Sequence, residues 1–86
     1  MTADLSGFDG TSADYTLDVS GLACPMPLLK AKQKLNAMQP GELLRVIATD
    51  AGSQRDFSSF VALSTHMLLS SEVRGESYIY LIKKGA

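Results

Sequence analysis

This chain of 86 residues has one cysteine, no tryptophan, no long apolar run and almost no excess of either charge. The lone Cys24 excludes an internal disulfide, and one cysteine with one histidine is too few for an ordinary metal site, so no metal is expected. No apolar stretch approaches the ~18 residues of a membrane span. Eight basic and nine acidic residues nearly cancel, so no strong direct binding to nucleic acid is expected. A lone thiol without a signal-type start favours the reducing cytoplasm.

The length and composition indicate one domain. Hydrophobic residues make up 45% of the chain, enough for a single modest core. Residues 1–14 are rich in Gly, Ser, Thr and Asp and show neither helical nor strand periodicity, which predicts a flexible N-terminal tail. Residues 15–86 are predicted to form the folded domain.

Hydrophobic periodicity predicts alternating strands and helices in the folded part. Steps of three and four between Leu28, Ala31, Leu35 and Met38 indicate one helix, and a second is predicted from about Ser53 to His66. Strands are predicted at 15–19, 43–49, 68–74 and 77–84, the last two joined by a two-residue turn. The order βαβαββ predicts an α/β two-layer sandwich: a four-stranded mixed sheet, its first two strands parallel, with two helices on one face.

Cys24 lies between the first predicted strand and the first predicted helix. Pro25 and Pro27 fall in the first turn of that helix, where a missing N–H costs nothing. The cysteine is therefore expected at or near the N-cap, where free amides and the positive end of the helix dipole favour an anion. This position predicts a pKa for the Cys24 thiol below its ordinary value, with Lys30 or Arg55 lowering it further.

Several stretches together resemble one known family. They are "LDVSGLACPMP", the "MQPGE" turn, the apolar strand that ends at Thr49 and Asp50, the "RDF" segment followed by Phe60, and the terminal "YLIKKG". In this order and spacing, the chain resembles the TusA-like (SirA-like) sulfurtransferases, which are small βαβαββ proteins built around a Cys-Pro-x-Pro motif.

The resemblance implies a persulfide sulfur carrier. Cys24 would accept sulfur from a cysteine desulfurase or a rhodanese-like sulfurtransferase and relay it to an acceptor protein, with Pro25 and Pro27 shaping the turn. Known branches of the family serve tRNA thiolation, molybdenum-cofactor assembly or dissimilatory sulfur metabolism. No cofactor is implied other than the transient persulfide on Cys24. A chain without a second cysteine suits this role, because a resolving thiol would divert the persulfide into a disulfide.

Six further residues are candidates for partner binding or for support of the thiolate: Met26, Lys30, Lys32, Asp50, Arg55 and Asp56. Met26 offers an adaptable apolar contact beside the thiol. The charged candidates also have a structural interpretation, in which the lysines are a solvated helix face, Asp50 is a turn or capping residue, and Arg55 and Asp56 serve the first turn of the second helix. Two alternative functions stay open: a noncatalytic interaction or regulatory module in which the cysteine is incidental, and a redox sensor acting through sulfenic acid.

Overall fold

A computed structural model describes the chain from residue 13 to residue 86. Of the predicted tail, residues 1–14, the first twelve residues lie outside the described part of the chain. Its last residue, Asp14, is held by Leu43: the Asp14 N–H donates to the Leu43 carbonyl at 2.9 Å, and the Leu43 N–H donates to Asp14 Oδ2 at 2.8 Å. In chain order the elements are β1 (Tyr15–Asp18), α1 (Met26–Asn36), β2 (Leu43–Ala48), α2 (Ser53–Ala62), β3 (Met67–Arg74) and β4 (Ser77–Lys83).

The four strands form one mixed sheet in the order β1-β2-β4-β3. β1 runs parallel to β2, with Leu17 opposite Val46, and β4 pairs antiparallel with both β2 and β3. The turn between β3 and β4 is Gly75-Glu76, and Gly75 takes a φ of +61°, which glycine adopts without steric cost. The predicted βαβαββ order and the parallel first pair are confirmed.

Both helices pack on one face of the sheet. Alternate positions of β2 are buried while the residues between them stay half-buried, which is the period of two expected when one sheet face is covered. Leu35 of α1 is fully buried, and full burial of a leucine side chain contributes about 1.5–3 kcal/mol. The core joins both helices to β2 and β4 through Val19, Ala31, Leu35, Met38, Leu44, Val46, Ala48, Phe57, Tyr80 and Ile82.

The second helix is shorter than the sequence predicts. α2 ends at Ala62 rather than at His66. The Ser64 hydroxyl donates to the Val61 carbonyl and accepts the His66 N–H, so a side chain replaces the next helical hydrogen bonds. His66 Nδ1 accepts the Gly85 N–H at 2.9 Å and links this loop to the end of β4. Burial, and then the charge of Lys84, lower the pKa of His66. Neither helix in residues 13–86 is long and apolar enough to cross a membrane.

Candidate functional site

The candidate site lies at the sheet edge where the parallel strands β1 and β2 end. Strands that run parallel bring their carboxyl ends to the same edge, so the loops that follow them are neighbours. Two hydrogen bonds fix this relation: the Val19 N–H donates to the Ile47 carbonyl and the Gly21 N–H donates to Thr49 Oγ1, both at 2.8 Å. Gly21 makes its turn with a φ of +84°. The loop that carries Cys24 therefore lies beside the loop that joins β2 to α2.

Cys24 is an exposed, free thiol one residue before the N-cap of α1. The N-cap is Pro25, joined to Cys24 by a cis peptide bond, and Pro27 is buried near the start of the helix. The two prolines thus lie at the helix start as predicted. Because Pro27 is anchored in the core and Pro25 has a fixed φ, the backbone beside the thiol is tightly constrained.

The thiol does not have the predicted electrostatic environment. Cys24 Sγ donates a hydrogen bond to Asp56 Oδ2 at 2.6 Å. This hydrogen bond is the largest cause that raises the pKa of Cys24, followed by partial desolvation of the thiol and by the negative charges of Asp56 and Asp50, while Arg55 lowers it. The prediction of a lowered pKa is wrong, because the carboxylate in contact with Sγ raises the pKa of Cys24.

The start of α1 offers the thiol few amides. Pro25 and Pro27 have no N–H, and the Met26 N–H is bonded to the Ala23 carbonyl at 2.9 Å. The helix dipole acts weakly at an exposed, solvent-screened site. A carboxylate in direct contact with Sγ therefore outweighs the dipole.

Asp50, at the end of β2, is the second carboxylate of the site. Its Oδ2 atom is buried and has no hydrogen-bond partner within the described part of the chain. A Cβ placed on Gly52 would lie 3.0 Å from this oxygen and 3.8 Å from the Cβ of Cys24, so a side chain at this position would crowd Asp50. The prediction that Asp50 and Asp56 support the thiolate is wrong, because both raise the pKa of Cys24. Among the six candidate residues, Arg55 lowers that pKa.

The other predicted residues lie on or near α1. Met26 is 39% exposed and stands at the helix start, next to the cysteine loop. Lys30 is exposed, whereas Lys32 places its ammonium 5.5 Å from the centre of the Phe60 ring. Among residues 13–86, no group of three His, Cys, Asp or Glu side chains is arranged to hold a metal ion.

The sequence analysis missed three residues. Leu22 and Leu29 are exposed large apolar residues that flank Met26 along the chain, and Leu29 lies one helical turn from it. Gly52 packs closely against Asp50 and Cys24, where a Cβ would lie 3.0 Å from Asp50 Oδ2. A signal for Gly52 was available, because the predicted parallel pairing of the first two strands brings the segments after them to one edge.

Comparison with known proteins identifies the family. The sequence profile of the family described as Sulfurtransferase TusA matches residues 15–84. The chain belongs to the TusA family. It is 49% identical, over 71 residues, to the sulfur carrier protein TusA of Allochromatium vinosum, an alignment that covers 83% of this chain and 93% of that protein.

A solved structure shares the fold of this TusA-family chain. The SirA-like protein of Desulfitobacterium hafniense superimposes with a TM-score of 0.72 at 20% identity, covering 84% of this chain and 99% of that one. Membership of the TusA family places the chain among proteins of sulfur transfer. The predicted family and fold are both confirmed.

Proposed function

We propose that this TusA-family protein is a persulfide sulfur carrier that accepts and donates sulfur through Cys24. The observation that carries the proposal is the position of its lone cysteine, free and exposed at the start of α1 within the Cys-Pro-x-Pro motif. A carrier must present one sulfur atom to two proteins in turn, which requires an accessible thiol. A thiol buried in the core would not serve.

The proposed loading step conserves atoms and electrons. The Sγ of Cys24 attacks the outer sulfur of a donor persulfide, forming a new S–S bond as the donor S–S bond breaks and its electron pair leaves on the donor sulfur. The proton of Cys24 is already directed at Asp56 Oδ2, 2.6 Å away. Asp56 takes this proton during the attack and returns it to the departing donor thiolate. Unloading is the same exchange in reverse, with an acceptor thiolate as the nucleophile.

The proposed partner surface surrounds the thiol. Exposed Leu22, Met26 and Leu29 give an apolar contact area, and methionine adapts to partners of different shape. α1 carries three lysines and no acidic residue, which favours partners with acidic docking surfaces. The donor is a cysteine desulfurase or another sulfurtransferase, and the acceptor is a downstream sulfur-transfer protein. Only one of them can occupy the thiol at a time.

The proposed cellular role follows from this chemistry. The carrier acts in the cytoplasm, where thiols stay reduced, and uses no cofactor other than its own transient persulfide. Its sulfur goes to tRNA thiolation, to molybdenum-cofactor assembly or to another branch of sulfur metabolism.

Intact-mass spectrometry tests the loading step. The protein is incubated with a cysteine desulfurase and L-cysteine, and a gain of one sulfur atom is expected. Cys24→Ser should gain none, and Met26→Ser, which keeps the thiol but removes the apolar contact, should load more slowly. If the wild-type protein gains no sulfur from a panel of desulfurases and rhodanese-like donors, the carrier proposal is wrong.

A further inference from the structure

Tyr80 joins the centre of the sheet to the first turn of α2. Its strand, β4, lies between β2 and β3, and the side chain is 1% exposed. The Tyr80 hydroxyl is 2.7 Å from Ser53 Oγ at the first residue of α2, and its ring stacks on Phe57 one turn later with ring centres 4.6 Å apart. Positions four apart lie on the same face of a helix, so Tyr80 holds the buried face of this turn at two points.

Asp56 lies in the same helical turn, between the two residues that Tyr80 holds. It leaves that turn on the side of Cys24, where Asp56 Oδ2 is 2.6 Å from Sγ. This contact depends on the rotation of α2 about its own axis, because a side-chain end lies about 5–6 Å from the axis of a helix. A rotation of about 10° therefore moves such an end by about 1 Å, which would lengthen and weaken so short a contact.

The same two carboxylates act on the phenol of Tyr80 and on the thiol of Cys24. The negative charges of Asp50 and Asp56 raise the pKa of both groups. Burial is the largest cause that raises the pKa of Tyr80, while its hydrogen bond with Ser53 lowers it. Tyr80 is therefore a neutral hydroxyl near neutral pH, and its effect on the thiol comes from the positions it fixes rather than from a charge of its own.

We propose that Tyr80 is a positioning residue, which fixes the rotation of α2 and so keeps Asp56 against the thiol of Cys24. It acts through the Ser53 hydroxyl and the Phe57 ring. This inference rests on the proposed carrier function and adds a core residue to it: Asp56 takes the proton of the thiol, and Tyr80 determines where that carboxylate lies. Because the contact is already short, loss of the Tyr80 hydroxyl should lengthen it.

The pH profile of thiol alkylation tests this assignment without a sulfur donor. The rate with iodoacetamide is measured by intact mass, at a temperature where circular dichroism shows every variant to be folded. Tyr80→Phe removes the hydroxyl and keeps the ring that stacks on Phe57, and Ser53→Ala removes the same hydrogen bond from the helix side. Tyr15→Phe is the matched control, because Tyr15 lies at the start of β1 and the cysteine loop follows the end of that strand.

Both hydroxyl variants should move the alkylation profile to lower pH. A longer contact with Asp56 raises the pKa of Cys24 less, so the alkylation rate near neutral pH should increase several-fold, though by less than in Asp56→Asn. Tyr15→Phe should match the wild type. Ser53→Ala decides alone if Tyr80→Phe does not fold. Profiles of the hydroxyl variants that match the wild type, or that move to higher pH, would overturn the assignment.

A second background separates positioning from a general loosening of the fold. In protein that already carries Asp56→Asn, the carboxylate that Tyr80 positions is gone, so adding Tyr80→Phe should shift the profile little further. A general loosening would instead increase the alkylation rate equally in both backgrounds, and that result would refute the positioning role. Because no donor enzyme takes part, failure of enzymatic loading counts against the carrier function, and failure of this test counts only against Tyr80.

Discussion

The starts of the two helices have the same place in the fold but different chemistry. α1 and α2 each follow a strand of the parallel pair, and neither has a side-chain hydrogen bond at its N-cap. α1 begins with prolines, has no acidic residue in its first turn and places Cys24 just before it. α2 begins at buried Ser53 and carries Asp56 in its first turn. A negative group lies at one start, and a thiol that could become negative lies at the other.

The contrast shows that a helix start does not set the pKa of a cysteine on its own. Asp56 is favourably placed for the dipole of α2, yet its Oδ2 reaches Cys24 at the neighbouring start. One carboxylate therefore complements one helix and suppresses the thiolate at the other. Helix starts that share a sheet edge have to be considered together.

Truncation of Phe57, which anchors α2 to the sheet, should have the largest effect on stability. Phe57 is fully buried and stacks on Tyr80 with ring centres 4.6 Å apart. Phe57→Ala is expected to lower the free energy of unfolding by about 3–5 kcal/mol, measured by urea denaturation. Leu63→Ala is the control, because Leu63 is 90% exposed and its truncation should change stability little. A small loss for Phe57→Ala would show that α2 is anchored elsewhere.

The buried hydroxyl pair at the start of α2 should have the next largest effect. Ser53 Oγ and Tyr80 Oη are 2.7 Å apart in the core. Tyr80→Phe leaves the Ser53 hydroxyl without this partner and should cost about 1–3 kcal/mol of unfolding free energy. Addition of Ser53→Ala should recover part of the loss, which a double-mutant cycle measures. Equal and additive losses would contradict a coupled pair.

Removal of the charge of Asp56 should affect the two helix starts in opposite ways. Asp56→Asn is expected to weaken α2 by about 0.3–1 kcal/mol, because the dipole loses its anion. The pKa of Cys24 should fall, since its largest raising cause is gone, so thiolate forms at lower pH. The alkylation profile of the empty thiol should move to lower pH while the thermal midpoint drops slightly. An unchanged profile would mean that Asp56 does not control the thiol.

Arg55 should give the smallest effect, with the opposite sign. Arg55 lowers the pKa of Cys24, so Arg55→Gln should raise that pKa and move the alkylation profile to higher pH. A cation in the first turn of α2 is unfavourable for the dipole, so stability should hold or rise slightly. Arg55→Lys keeps the charge and should stay close to wild type. A shift to lower pH for Arg55→Gln would refute the role of Arg55.

Local patterns predicted most of the fold. The apolar steps of Ala31 and Leu35 located α1, and the Gly75-Glu76 turn located the hairpin, because periodicity and turn chemistry act within a few residues. The end of α2 was predicted too late, because Ser64 ends the helix through side-chain hydrogen bonds that leave no periodic signal. The place of Cys24 near a helix start was predicted from its two prolines.

The sequence by itself determined the element order, the single core, the family and the place of the only cysteine at a helix start, since each depends on residue types and short spacings. Only the tertiary structure decided the direction in which the pKa of that cysteine is shifted. Asp56 is 32 residues further along the chain and meets Sγ because two parallel strands end at one sheet edge. Electrostatic effects depend on distances between atoms, and those distances are set by packing.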